Sequence, residues 1–180
     1  MINVIIDFSG SMRPNGKFAI VRNTCVALNM TAKCRFFSWS DKIEEFTFDE
    51  KFDWFSQFSN KVSISVLEKW VETIRNKDDE SLLLLTDGSF SYKDKKELEN
   101  YLVSLNNMKY AIISIGADAL AKTTLSCCKD KIFSPNETYL TCEYLSSEEY
   151  SILPKNLDEL SFIKKEDEKK SGEGTGDEWE

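Results

Sequence analysis

Val4-Ile5-Ile6-Asp7-Phe8-Ser9-Gly10-Ser11-Met12 and Leu82-Leu83-Leu84-Leu85-Thr86-Asp87-Gly88-Ser89 are the two stretches whose reading decides the fold. Each begins as an uninterrupted apolar run, too short for an independent helix and bounded by polar residues. Such a run suits a strand buried on both faces. Each then breaks into carboxylate, hydroxyl and glycine. Outward from these two strands the chain alternates. Phe18, Val21, Cys25, Leu28 and Ala32 fall at helical spacing, predicting a helix from Gly16 to about Ala32. Cys34 to Trp39 reads as a strand, and Ile43 to Phe48 alternates polar and apolar as an edge strand does. Ile64, Leu67, Trp70, Val71 and Ile74 mark a second helix, and Leu98, Tyr101, Leu102 and Leu105 a third. Tyr110 to Ile115 is a further buried strand, and Ala117 to Cys128 is expected to be helical.

Strand-helix alternation with continuous apolar strands implies an α/β fold. The expected architecture is doubly wound: a mostly parallel central sheet with one antiparallel edge strand and helices on both faces. Beyond Pro135 and Asn136, only short helices at Ser146 to Leu153 and Leu157 to Ile163 are suggested. One domain is therefore expected over residues 1–163. Residues 164–180 lose their apolar content apart from Trp179 and read as an acidic disordered tail.

The composition narrows the chemistry. The chain has 180 residues, 41% of them hydrophobic, enough for one sizeable core. Its 23 Lys and Arg against 31 Asp and Glu give a net charge of −8, so it has no general attraction for nucleic acid or anionic membrane. There is no histidine, which removes Ser-His and Cys-His dyads and imidazole zinc sites. Five scattered cysteines (Cys25, Cys34, Cys127, Cys128 and Cys142) without a CxxC pair suit free thiols in a reducing compartment. The opening Met1 to Asp7 carries no basic region before an apolar one. The expectation is a cytoplasmic protein.

Doubly wound sheets place their sites at the carboxyl ends of the strands, where strand order reverses. Asp7, Ser9 and Ser11 lie just past one strand, and Asp87 past another. Carboxylate and hydroxyl oxygens gathered there are hard ligands that suit Mg2+, which takes only one or two protein carboxylates. Gly10 and Gly88 are expected to allow the tight turns. The same residues could instead do no more than cap helices.

Asp7-Phe8-Ser9-Gly10-Ser11 is a D-x-S-x-S sequence and resembles the metal-ion-dependent adhesion site (MIDAS) of von Willebrand factor A (vWA) domains. Leu84-Leu85-Thr86-Asp87-Gly88 and Ile113-Ser114-Ile115-Gly116-Ala117-Asp118 resemble later motifs of that family. The resemblance runs from about residue 2 to residue 135, and it looks most like the small stand-alone bacterial vWA proteins of tellurium-resistance (TerY-like) and stress clusters. It implies that Ser9 and Ser11 bind the metal directly, that Asp7 acts partly through water, and that Asp87 completes the shell. The family adds a threonine in a G-G-T sequence. Here the corresponding stretch is Asn60-Lys61-Val62-Ser63-Ile64-Ser65, which lacks the glycine pair. If Ser63 takes the threonine position a hydroxyl ligand survives; if Val62 does, it is lost. The implied ion is Mg2+, with Mn2+ or Ca2+ as alternatives. The implied function is a non-enzymatic interaction module whose ion bridges to an acidic residue of a partner, such as a kinase, phosphatase or ATPase of the same system.

Two other readings remain. One is a Mg2+-dependent phosphohydrolase using Asp7. Those sites resemble D-x-D-x-T, and Ser9 stands here where the second carboxylate would be the acid/base. The other is a metal-free vWA scaffold.

Overall fold

The computed structural model describes residues 1–146 except 15, 49–52, 55, 57, 60, 76, 78, 117–118 and 120–124. Six strands form one sheet: β1 Ile2–Asp7, β2 Cys34–Trp39, β3 Ile43–Phe46, β4 Ser81–Thr86, β5 Tyr110–Ser114 and β6 Ile132–Phe133. Their order is β3-β2-β1-β4-β5-β6. All neighbours pair in parallel except β2 and β3, where Trp39 opposes Ile43 and Phe36 opposes Phe46. β3 is therefore the antiparallel edge strand expected from its alternation.

The helices are α1 Lys17–Thr31, α2 Ile64–Glu72, α3 Tyr92–Ser104 and α4 Thr138–Ser146. β1 and β4 are buried along their whole length, as continuous apolar runs require. Ile5, Leu84 and Ile112 lie in register across β1, β4 and β5. They share a core with Leu67 and Val71 of α2 and with Leu98 and Leu102 of α3. The alternate residues Val4, Ile6, Leu83, Leu85, Ala111 and Ile113 face the other way. They too are fully buried. On that side α4 meets β1, β4 and β5, and α1 packs on α4.

The chain winds from β1 through β2 to β3, then returns to place β4 on the other side of β1. The reversal falls between β1 and β4, whose carboxyl ends carry Asp7 and Thr86-Asp87.

Most of the 117–128 stretch read as helical lies outside the described residues; of the rest, Ala119 and Leu125 carry no helix, and Ser126–Lys131 is a 3-10 segment. The strand β6 and the helix α4 were not foreseen. Gly10 opens a 3-10 turn, Gly10–Met12; the left-handed backbone belongs instead to Gly88 (φ 74°), Gly116 (φ 100°) and Gly16 (φ 72°). The expected helices at 146–153 and 157–163 and the acidic tail from 164 lie outside the described residues, apart from Ser146 at the end of α4. A compact unit spans residues 1–147.

Candidate metal centre at the carboxyl ends of β1 and β4

Asp7 ends β1 and is 1% exposed. One carboxylate oxygen accepts the backbone N–H of Ser9 at 2.8 Å; the other accepts the Thr86 hydroxyl at 2.6 Å. Thr86 Oγ1 in turn accepts the Gly88 N–H at 3.0 Å. Asp87 repeats the motif, its Oδ1 accepting the Ser89 N–H at 2.9 Å. Each carboxylate thus bonds the amide two residues on, which folds both strand ends into tight loops facing one another. Phe8 N donates to Trp39 O and Ser59 N to Phe8 O, so the first loop is held on both sides by backbone.

The hydroxyls close the gap between the carboxylates. Ser9 Oγ and Ser11 Oγ share a hydrogen bond at 3.0 Å, and Ser11 Oγ donates to Asp87 Oδ1 at 3.2 Å. Sequence reasoning named these four residues, and the structure brings them together. Burial pushes the Asp7 carboxyl above the usual carboxylate range, the bonds from Thr86 and Ser9 pull it back, and the neighbouring Asp87 charge adds to the rise. A cation beside it would relieve that burden.

Ser63 stands apart from this network. Its backbone is fixed against the end of β2: its N–H donates to Ser40 O at 2.9 Å, and its carbonyl accepts Trp39 Nε1–H at 2.9 Å. Its hydroxyl pairs with Ser65 Oγ at 3.2 Å. Ser63 occupies the N-cap position of α2, but its side chain makes no capping bond. Val62 packs into the core, so Ser63 is the residue of this pair that keeps a hydroxyl outside it. Asp118 lies outside the described residues.

Two functional groups escaped sequence reasoning. Thr86 is the hydroxyl that anchors Asp7. Lys17, the first residue of α1, is buried at 3% exposure. Its ammonium lies 2.8 Å from Asp87 Oδ2 and 3.2 Å from the Ser11 carbonyl. A signal for it existed. A cation at a helix N-terminus opposes the helix dipole, so its charge has to be answered elsewhere.

The donor set suits a small divalent cation. All its atoms are hard oxygens, and the 3.0 Å between Ser9 and Ser11 hydroxyls matches roughly the 3.0 Å edge of an octahedron with ligands at about 2.1 Å. Asp7, Asp87, Ser9 and Ser11 would hold it. Among the described residues no three His, Cys, Asp or Glu side chains gather as a metal cluster, so two carboxylates and the hydroxyls are the set to consider.

A mostly parallel sheet whose order reverses between β1 and β4, with this oxygen-rich crevice at the reversal, is a doubly wound α/β fold. No protein-family profile matches the chain, and no curated protein does. Solved structures do. Proximal thread matrix protein 1 from the mussel byssus superposes with a TM-score of 0.54 at 13% identity, over 81% of this chain and 45% of that one. The same mussel protein is also known with a zinc-occupied MIDAS motif. A von Willebrand factor type A structure from Catenulispora acidiphila gives 0.51 at 17% identity, over 80% and 42%. An aerotolerance-related membrane protein from Bacteroides fragilis, carrying multiple mutations to serine, gives 0.56 at 9% identity, over 80% and 95%. The chain spans less than half the length of the mussel and Catenulispora chains it matches. The likeness is one of fold.

Proposed function

We propose that this chain is a metal-dependent protein-protein interaction module. Asp7, Ser9, Ser11 and Asp87 hold Mg2+, or Mn2+ or Ca2+ in its place, and Ser63 is the remaining hydroxyl candidate. The observation that carries the reading is the convergence of two buried carboxylates and two hydroxyls at the switch point of the sheet. When bound, the ion supplies a coordination position for an acidic residue of a partner protein. The residues of this chain orient and neutralise it. Ser9 and Ser11 offer neutral oxygens, so two carboxylates leave the bound site close to neutral and receptive to one more anion. The partner class is a kinase, phosphatase or ATPase of a bacterial stress-response or defence system, and the protein is cytoplasmic, of the tellurium-resistance type. Hydrolysis is not part of the reading, because Ser9 offers no acid/base where a phosphohydrolase needs one.

The metal-free scaffold is the second reading, favoured by the Lys17–Asp87 ion pair. A melting series in Mg2+ and Mn2+ separates the two. A ligand that binds only the folded state stabilises it by about 2.7 kcal/mol at a hundredfold excess over Kd. Wild type is expected to gain stability with metal. Asp7→Ala should abolish the gain, and Ser11→Ala should reduce it. Capture of partners from the native host should fall on addition of EDTA. No shift at about 10 mM metal would leave the scaffold reading standing.

A further inference from the structure

Lys17 is the one cation placed by the described structure against the carboxylates of the site, and its position is unusual on three counts. It is the first residue of α1, where a positive charge opposes the helix dipole. Its side chain is 4% exposed, and an ammonium is costly to bury without a charged partner. Its partners are site residues: Asp87 Oδ2 at 2.8 Å and the Ser11 carbonyl at 3.2 Å, on the same loop as the Ser11 hydroxyl.

Asp87 therefore divides its two oxygens. Oδ1 faces the Ser11 hydroxyl and the Ser89 amide, while Oδ2 faces the ammonium. A divalent ion held by Asp87 and Ser11 would add two positive charges beside a buried one, in a medium that screens poorly. Both cations cannot keep the same carboxylate at full strength.

We propose, resting on the metal-binding reading above, that Lys17 is a tethered cation that neutralises the site in its resting state and that divalent metal binds by displacing its ammonium from Asp87. The N-terminus of α1 then becomes a switch element. Its entry residue Gly16 is left-handed (φ 72°), so the helix that carries the lysine begins at a turn. The tether sets a metal threshold: the module engages acidic partners only where the free ion is concentrated enough to displace the lysine.

The test compares Mn2+ affinity, by calorimetric titration of the full chain, in wild type, Lys17→Met and Lys17→Arg. Methionine keeps the stem and removes the charge; arginine keeps the charge. The expected result is at least a tenfold gain in affinity for Lys17→Met and no gain for Lys17→Arg. Saturable binding of equal affinity in wild type and Lys17→Met would overturn the displacement while leaving the metal site intact. Absence of binding in both would overturn the metal reading and the displacement with it. Should Lys17→Met fail to fold, lysine acylation of wild type followed by mass spectrometry decides the matter. A rise in Lys17 labelling on adding Mn2+ supports displacement, and unchanged labelling overturns it.

Discussion

Thr86 shows how much of this site rests on one hydroxyl. It donates to Asp7 and accepts from Gly88, so Thr86→Val leaves a buried carboxylate oxygen and a buried amide short of a partner each. The expected cost is about 1–3 kcal/mol, read as a lower urea midpoint at unchanged slope. Nothing in the Thr86-Asp87-Gly88 sequence distinguishes that role from an ordinary strand end. Lys17 left only a faint trace, a positive charge at the start of a helix; its burial against Asp87 is not written in the sequence. The cysteines were easier. All five are free thiols, as their spacing suggested. Cys127 is exposed, yet partial burial, the hydrogen bond with Cys128 and the Glu99 carboxylate push its thiol up to about 12. The thiolate is the reactive form. Alkylation of Cys127 by iodoacetamide should therefore be far slower at pH 8 than that of an ordinary exposed thiol, and should climb about tenfold per pH unit through pH 10. A rate that levels off near pH 9 would contradict this.

At the scale of elements, periodicity located what was apolar and missed what was not. The helix α1 runs from Lys17 to Thr31, against an expected Gly16 to Ala32, because its buried stripe of Val21, Cys25 and Leu28 is legible as spacing. The helix α4 presents Thr138, Thr141, Cys142 and Leu145 to the protein at the same kind of spacing, but threonine and cysteine carry little apolar signal. Its start was legible in another way. Glu137 caps Ser134 through both the backbone N–H at 2.6 Å and the hydroxyl at 2.8 Å, a capping box that the Ser134-Pro135-Asn136-Glu137 sequence spells out. β6 has only two residues, too few to show a period. The edge strand β3 was read correctly, although it stops at Phe46 and not Phe48. Its Arg35–Glu45 pair makes two bonds, at 2.9 and 2.7 Å, which hold the Glu45 carboxyl below its usual range. A depressed carboxylate stabilises the fold above its unfolded pKa, and that contribution is lost as pH falls through the folded value. Both partners are largely solvated, so the effect is small, within about 1 kcal/mol. Comparing wild type with Glu45→Gln, the difference in stability should be present at pH 7 and vanish toward pH 3.

For the whole molecule, the sheet makes the site and the aromatic residues keep it in place. The dense aromatic group from Phe36 to Phe58 read as core packing, and the structure divides its described members, Phe52 and Phe55 lying outside them. Phe37 and Trp39 belong to the α2 side of the sheet. Trp54 serves as a hub elsewhere: its ring lies 5.8 Å from Phe8, 5.8 Å from Phe18, and 5.9 Å from both Phe46 and Phe48. Phe8 sits inside the D-x-S-x-S loop, Phe18 follows Lys17 on α1, and Phe46 ends the edge strand. One buried indole therefore couples the metal loop, the lysine-bearing helix and the rim of the sheet. Large-to-small changes at such a residue cost about 3–5 kcal/mol, a large part of a domain's total stability. Trp54→Phe keeps an aromatic ring with less area and should retain the fold at a smaller loss. The informative quantity is then its metal affinity. If the hub positions the loop, Trp54→Phe should weaken Mn2+ binding severalfold in calorimetry, although no part of the indole belongs to the donor set. A variant that loses stability but binds Mn2+ like wild type would show that the loop is set by its own hydrogen bonds alone, through Asp7, Thr86 and the Phe8 backbone.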